Sequence, residues 1–175
     1  MTRRIIITTS LALIFVACSK DDSILIESPE GSIGFMLHLD AESDLRYSLL
    51  YGDSIILEGG SLGLDEAQFG KLGTDLRMSS IESFSRNEIW KPVYGERAEI
   101  RDQFNGVKVK LEHNQASHPG MHLEIRAYNE GVAFRYEIPF EGSYELVKEY
   151  TSFPFADQVS GWVSRHAQGP VSKMD

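Results

Sequence analysis

The chain has 175 residues, of which 42% are hydrophobic and 25% charged, proportions that exclude a membrane-embedded helical bundle and a disordered acidic tail. Lys and Arg total 17 against 26 Asp and Glu, a net charge of −9. That balance excludes proteins that neutralise a nucleic-acid backbone, and proteins held on anionic lipid by charge alone. The length predicts one domain with a core of its own.

The first 17 residues are typical of a bacterial export signal. Arg3 and Arg4 precede an uncharged run from Ile5 to Ala17, which is too short to span a bilayer but suits the apolar part of a secretory signal. Cys18 completes a tetrad that resembles a bacterial lipobox, with Phe where Leu is usual. We expect cleavage before Cys18 and its acylation, which would anchor the chain to the bacterial outer membrane, on its periplasmic or surface side. The alternative is an ordinary buried thiol at the end of a signal.

Residues 18–23 predict an acidic tether that follows the lipidated cysteine. Lys20, Asp21 and Asp22 resemble the surface-export signal of Bacteroidetes-type lipoproteins, and a plain solvated tether is the alternative. Residues 24–175 contain no internal repeat and no Ser/Pro-rich linker, so we expect one domain over this range.

The hydrophobic pattern has the period of two that is typical of strands. The predicted strands are 32–38, 45–51, 54–57, 107–111, 121–127, 132–138 and 144–150. Asn105-Gly106 is the strongest short hairpin signal and predicts a turn whose other arm is 99–101. Only 65–72 has helical spacing. The whole predicts an all-β fold, an antiparallel β-sandwich.

Two sets of polar residues are candidates for a catalytic or metal-binding role. His113, His118 and His122 surround a predicted loop, but nothing in the sequence makes them converge with a fourth ligand, so we expect loop histidines and no metal site. Glycosidic chemistry needs two facing carboxylates, and the sequence selects no pair, so no residue is assigned as catalytic. The eight candidate acids are Glu96, Glu99, Asp102, Glu124, Glu130, Glu137, Glu145 and Glu149.

Two tryptophans are the candidate carbohydrate-binding residues. Trp90 and Trp162 lie beside turn-forming residues, where a ring can remain accessible to the apolar face of a sugar. Phe134 and Tyr136 occupy alternating strand positions and are expected to pack in the core.

Four segments share a specific order and spacing. They are Trp90-Lys-Pro-Val-Tyr94-Gly95-Glu96, Ile100-Arg-Asp102-Gln-Phe104-Asn105, the run from Arg126 to Tyr136, and Glu149-Tyr-Thr151-Ser-Phe153-Pro-Phe155 followed by Trp162. They resemble the W-x-P-V-x-G-E, I-x-D-x-[YF]-N, R-A-Y-[ND]-[DE]-G-V-A-F-R-Y and E-x-T-x-F-x-F…W stretches of glycoside hydrolase family 97. The resemblance covers most of residues 24–165.

The resemblance implies the N-terminal β-supersandwich of an enzyme whose catalytic acids lie in a following (β/α)8 barrel. Such enzymes are calcium-dependent, exo-acting α-glucosidases or α-galactosidases of polysaccharide utilisation. In them a calcium-binding glutamate follows the tryptophan matched here by Trp162, whereas residues 167–175 contain no glutamate. We therefore expect a domain fragment that is incomplete at its C-terminus and inactive alone, with α-linked oligosaccharide and calcium as ligands of the complete enzyme. Neither glucosides nor galactosides are favoured.

Two alternatives remain open on the residues alone. A free-standing carbohydrate-binding surface lipoprotein is the alternative function. Arg126 and Arg135 flank a predicted turn, and we expect them to pair with local acids, the alternative being that they face the barrel.

Overall fold

The computed structural model describes residues 23–139, 141–155, 160–164 and 171–174, with the backbone alone for 161–164 and 171–174. In these ranges the regular elements are all strands, so no helix there could cross a membrane. The strands are β1 (Ser23–Glu27), β2 (Ile33–Leu39), β3 (Leu45–Tyr51), β4 (Ser54–Ser61), β5 (Leu64–Glu66), β6 (Gly70–Leu72), β7 (Leu76–Trp90), β8 (Ile100–His113), β9 (Met121–Tyr128), β10 (Gly131–Glu137), β11 (Leu146–Glu149), β12 (Gly161–Ser164) and β13 (Val171–Met174).

Two four-stranded antiparallel sheets form the body of the domain. The front sheet has the order β1-β2-β3-β4 and the back sheet the order β10-β9-β8-β7. A small sheet, β11-β5-β6, lies beside them, and β12 pairs with β13. The front and back sheets share one apolar core, which confirms the predicted all-β sandwich. Cys18 lies outside the described residues, so the export signal and the tether remain predictions.

The core follows from the alternation of side chains along the strands. Leu123, Ile125 and Ala127 of β9 all point inward and have no exposed surface. Leu37 of β2 is equally buried. Burying each large aliphatic side chain stabilises the fold by about 1.5–3 kcal/mol. The two inward faces therefore hold the sheets together.

Tyr47 of β3 connects the sheets to the segment after β11. Its ring stacks on Phe35, with centroids 5.0 Å apart, and lies 6.2 Å from the ring of Phe134 on β10. Gly60 makes room for it, since a Cβ there would lie 2.3 Å from the ring. The Tyr47 hydroxyl donates to the Ser152 carbonyl at 2.8 Å. Phe134 and Tyr136 are partly buried and pack against the core, close to what the sequence predicts.

The predicted hairpin turn at Asn105-Gly106 is wrong. Both residues lie inside the long strand β8, and the chain turns instead at residues 91–99. The Asn105 amide group donates to the Glu27 carbonyl at 2.9 Å, which joins the back sheet to the front sheet. A Cβ at Gly106 would lie 2.7 Å from the Phe84 ring and 2.9 Å from the Ile125 carbonyl oxygen. The glycine therefore serves close packing and not a turn.

The helical spacing of 65–72 is also misleading. This segment is the hairpin of β5 and β6. The buried Glu66 carboxylate accepts the backbone N–H groups of Gln68 and Phe69, at 2.8 and 2.9 Å, and that of Glu145 at 3.1 Å. These hydrogen bonds stabilise a turn, because they occupy backbone N–H groups that a helix would bond to its own carbonyl groups. The φ of +78° at Gly70 then begins the return strand.

The remaining strand predictions differ mainly in length. The strand predicted at 45–51 is confirmed as β3, and the one predicted at 121–127 is one residue shorter than β9. Those predicted at 32–38 and 132–138 are offset from β2 and β10 by one residue at each end. The strands predicted at 54–57 and 107–111 are parts of β4 and β8, and β11 is shorter than the predicted 144–150. The long strand β7 has no predicted counterpart, because serines and charged residues dilute its apolar pattern.

Replacing Gly106 with Ala should lower the free energy of unfolding by about 1–3 kcal/mol, because the added methyl group meets a backbone oxygen of β9. Gly131→Ala is the matched control, since a Cβ there has no neighbour within 4 Å and the change should stay within about 0.5 kcal/mol. Urea unfolding measures both variants. Equal destabilisation of the two would contradict this packing role for Gly106.

Candidate functional site

A two-stranded arm projects from one end of the back sheet. β8 pairs with β9 only as far as Phe104, whereas its pairing with β7 continues to Trp90 opposite Ile100. Beyond Phe104 the two strands of the arm therefore pair only with each other. Pro92, which has no N–H, and Gly95, with a φ of +138°, follow at the tip, where the ladder ends.

The tip of this arm carries an exposed apolar cleft of about 590 Å³. Trp90 is 51% exposed, Val93 98% and Tyr94 91%. Glu96 and Arg97 line the same cleft. Two accessible rings beside a carboxylate and a guanidinium combine a surface for the apolar face of a sugar with donors and acceptors for its hydroxyls. Of the two tryptophans that the sequence suggests, Trp90 lies in this cleft.

Trp162 belongs to β12, whose backbone pairs with β13. Its side chain lies outside what the structure describes, so its role in carbohydrate binding stays a prediction.

A buried carboxylate organises the outer face of the back sheet. The side chain of Glu124 on β9 is 3% exposed and accepts hydrogen bonds from Arg126 at 2.8 Å and Arg135 at 2.7 Å. Lys108 adds a third positive charge at 3.8 Å. Desolvation alone would raise the pKa of Glu124, but the hydrogen bonds from the two arginines outweigh it and lower that pKa. Glu124 therefore stays ionised at neutral pH.

This cluster confirms that Arg126 and Arg135 pair with local acids. Arg135 also contacts Glu137 at 2.8 Å, so the ion pairs connect β9 with β10. The Arg126 guanidinium in addition lies 4.8 Å above the Phe104 ring, which shields that ring on the outer face of β8. Both arginines thus have structural contacts.

Two of the three candidate histidines stack on each other, and the third lies apart from them. The rings of His113 and His118 are 4.0 Å apart, and Nε2 of His118 lies 3.0 Å from the Phe69 carbonyl oxygen. Desolvation and the nearby His113 lower the pKa of His118, so it is neutral at pH 7 and donates from Nε2. His122 is on β9, opposite Glu137. Within the described ranges, no three His, Cys, Asp or Glu side chains are grouped to hold a metal ion.

Several of the remaining acids have cationic partners. Asp102 pairs with Arg86 at 3.1 Å on the arm, and Glu99 with Lys91 at 3.3 Å at its tip. These contacts hold the two strands of the arm together and assign no acid a catalytic role.

Comparison with known proteins identifies the fold. A sequence model described as "Glycosyl-hydrolase 97 N-terminal" matches residues 26–173. The chain belongs to this family.

Solved structures of larger enzymes contain the same architecture. One is a glycoside hydrolase family 97 enzyme variant from Pseudoalteromonas sp. strain K8 in complex with panose, with 25% identity and a TM-score of 0.73. A second is a complex of a family 97 enzyme from that strain with acarbose, with 24% identity and a TM-score of 0.73. A β-arabinopyranosidase, with 20% identity and a TM-score of 0.71, shares the fold. Each match covers 79% of this chain and 22% of the larger one, so the chain spans about a fifth of their length.

The segments that resemble the family 97 pattern divide into two groups in the fold. Most have structural contacts: Phe104 packs under Arg126, and Asn129 accepts the Glu30 N–H at 3.0 Å, which fixes the turn between β1 and β2. Tyr136 likewise shares a 2.6 Å hydrogen bond with Thr151. The first segment differs, because its large side chains line the exposed cleft at the tip of the arm.

Replacing Glu124 with Gln should make stability depend less on pH. The Glu124 pKa is lower in the folded than in the unfolded chain, so its contribution is present above about pH 4.5 and is lost as pH falls toward the lower folded value. At neutral pH the variant should lose about 1–2 kcal/mol, since two arginines remain without their shared partner. Denaturant unfolding from pH 7 to pH 3 measures both effects. The exposed Glu130→Gln is the control, and identical pH profiles for the two variants would contradict the prediction.

Proposed function

We propose that this chain is the non-catalytic N-terminal domain of an exported, calcium-dependent, exo-acting α-glycosidase, an α-glucosidase or α-galactosidase of polysaccharide utilisation. In this role it braces the catalytic barrel and contributes to carbohydrate binding. The observation that carries the proposal is the match over residues 26–173 to an N-terminal domain family of glycoside hydrolases. The family 97 complexes with panose and acarbose support an oligosaccharide as the substrate of the whole enzyme.

The tip of the arm is the part of the domain best suited to this contribution. Aromatic rings stack on the C–H faces of pyranose rings, and Trp90 and Tyr94 have such surfaces accessible. Glu96 can accept hydrogen bonds from sugar hydroxyls, and Arg97 can donate to them. The arm itself places this surface beyond the end of β9, where the pairing of β8 with β9 stops.

Calcium enters the proposal only through the complete enzyme. Calcium takes six to eight oxygen ligands, and within the described residues no three His, Cys, Asp or Glu side chains are grouped to hold a metal ion. The described residues therefore do not fit a calcium site of their own, and no step of the proposed role runs through the ion.

Lipid anchoring is the remaining part of the proposal. Acylation of Cys18 would hold the domain at the bacterial outer membrane, with residues 19–23 as the tether to β1. The location suits an enzyme that acts on oligosaccharides outside the cytoplasm.

The purified chain should not hydrolyse aryl α-glucosides or aryl α-galactosides, with or without added calcium, because the catalytic acids belong to the barrel. Release of the chromogenic phenol measures activity, and an active α-glucosidase run in parallel verifies the assay. Turnover that scales with the concentration of the chain and disappears on heat denaturation would overturn the non-catalytic assignment.

A free-standing carbohydrate-binding surface lipoprotein is the second candidate function. The exposure of Trp90 and Tyr94 in one cleft favours it, because a binding module needs a ring accessible to the sugar. Both candidates predict sugar contacts at the tip, and they differ in whether the domain acts together with a barrel.

Titration with a maltooligosaccharide should change the tryptophan fluorescence of the parent chain. Calorimetric titration, which needs no tryptophan reporter, should show that Trp90→Ala weakens binding by about tenfold through loss of stacking. Tyr51→Ala is the control, since this tyrosine is 61% exposed at the end of β3, away from the cleft. Both variants should keep the stability of the parent within about 0.5 kcal/mol. An unchanged signal in the parent chain, or undiminished binding by Trp90→Ala, would exclude the tip as a sugar site.

A further inference from the structure

The back sheet ends in a long strand with an open edge. β7 is the last strand in the order β10-β9-β8-β7, so within the described residues it pairs on one side only. Its 15 residues are almost all exposed, and Ile81 is 52% exposed beside that edge. An open edge of this length presents a row of N–H and C=O groups that can pair with another strand.

Lysine, proline and bulges, three features that often protect an edge, are missing from most of β7, although the stretch carries the charges of Glu82, Arg86 and Glu88. Natural edge strands carry lysine, proline or bulges that block further pairing. The one irregularity of β7 lies between Met78 and Ser80, and from Ser80 to Glu88 the register is regular, with no lysine or proline. Phe84 leans over Gly106 and packs on Phe104 at 5.7 Å, which leaves the outer side of the edge free of its ring.

The charges of this stretch match a second copy of themselves. An antiparallel pair about a two-fold axis through Phe84 places Glu82 of each copy opposite Arg86 of the other. The Arg86 guanidinium already pairs with Asp102 of its own chain at 3.1 Å, so Glu82 of the second copy would be a second carboxylate partner. An axis through Glu82 or through Arg86 places two like charges opposite each other on the axis. An axis through Ser85 places Glu82 opposite Glu88 of the other copy. An axis through Ser83 places Glu82 opposite Phe84, so that Glu82 has no charged partner. Opposite charges across a strand pair stabilise it, whereas like charges destabilise it.

The register through Phe84 also uses the best-supported part of the strand. It engages all nine residues from Ser80 to Glu88, whose partners on β8 run from Lys110 to Asp102. A register centred on Asn87 also opposes Arg86 to Glu88, but it uses the free arm and seven residues of β7. The part of β8 behind Phe84 and Arg86 is itself paired with β9, which makes it the stiffer template.

We propose that β7 is a homodimerisation edge, where two copies of the chain join their back sheets through antiparallel pairing centred on Phe84. The result is an eight-stranded continuous sheet with two Glu82–Arg86 ion pairs across the junction. This inference stands on β7 alone and does not depend on the proposed carbohydrate role.

Sedimentation equilibrium in reducing buffer tests the dimer. The parent chain should shift with concentration toward twice the mass of a single chain. Glu82→Lys should weaken association by about tenfold, because each junction pair becomes Lys opposite Arg. The variant that combines Glu82→Lys with Arg86→Glu restores opposite charges across the junction; Asp102→Asn is added because Asp102 pairs with Arg86 at 3.1 Å in the parent chain, and this variant should recover the parent affinity. Glu130→Lys, which makes the same charge change in the turn before β10, should leave association unchanged.

Hydrogen exchange on the parent chain gives a second readout that needs no substitution. Amides of residues 80–88 should exchange more slowly as concentration rises, whereas those of β10, the opposite edge of the back sheet, should not change. A monomer at every concentration, equal weakening by Glu82→Lys and Glu130→Lys, or concentration-dependent protection outside β7 would overturn the proposal.

Discussion

The ring of Tyr47 is the point on which the packing of this domain depends. It stacks on Phe35 within the front sheet, touches Phe134 of the back sheet, and its hydroxyl binds the segment that follows β11. The ring fits there because Gly60 has no side chain. A single buried aromatic group therefore sets both the separation of the two sheets and the path of the chain as it leaves the small sheet.

The outer face of the back sheet is organised by a different kind of interaction. There a carboxylate with almost no exposed surface is compensated by Arg126 and Arg135, and Arg126 also covers Phe104. Such an arrangement needs every partner, because an ionised group removed from water without its cations is costly. The apolar core and the ionic face thus act on opposite sides of the same strands, which explains why β9 tolerates alternating Leu, Glu, Ile and Arg.

Local pattern predicts the strands whose alternation is clean, such as β3 and β9, because one face of β9 is buried along its whole length and Leu45 and Tyr47 bury the same face of β3. It failed where distant residues decide the outcome. Asn105-Gly106 has the composition of a turn, but the Glu27 carbonyl and the Phe84 ring, neither adjacent in sequence, keep it extended. β7 has no predicted counterpart because much of it is exposed and its sequence does not alternate between apolar and polar residues. For the candidate site, the accessible ring of Trp90 followed from the turn-formers beside it, whereas the convergence of Tyr94, Glu96 and Arg97 needed the geometry of the tip.

The connection between β7 and β8 is a loop, residues 91–99, at the end of a long pair of hydrogen-bonded strands. The two strands are held by fourteen paired positions, and the nine residues that join them contribute little to that ladder. Exposed loop tips of this kind are the usual sites of proteolytic cleavage and of new chain termini. A cut there would leave two polypeptides that stay together through the sheet. The domain therefore has a natural position for splitting or circular permutation, where the chain can be interrupted while the sheet keeps the fold together.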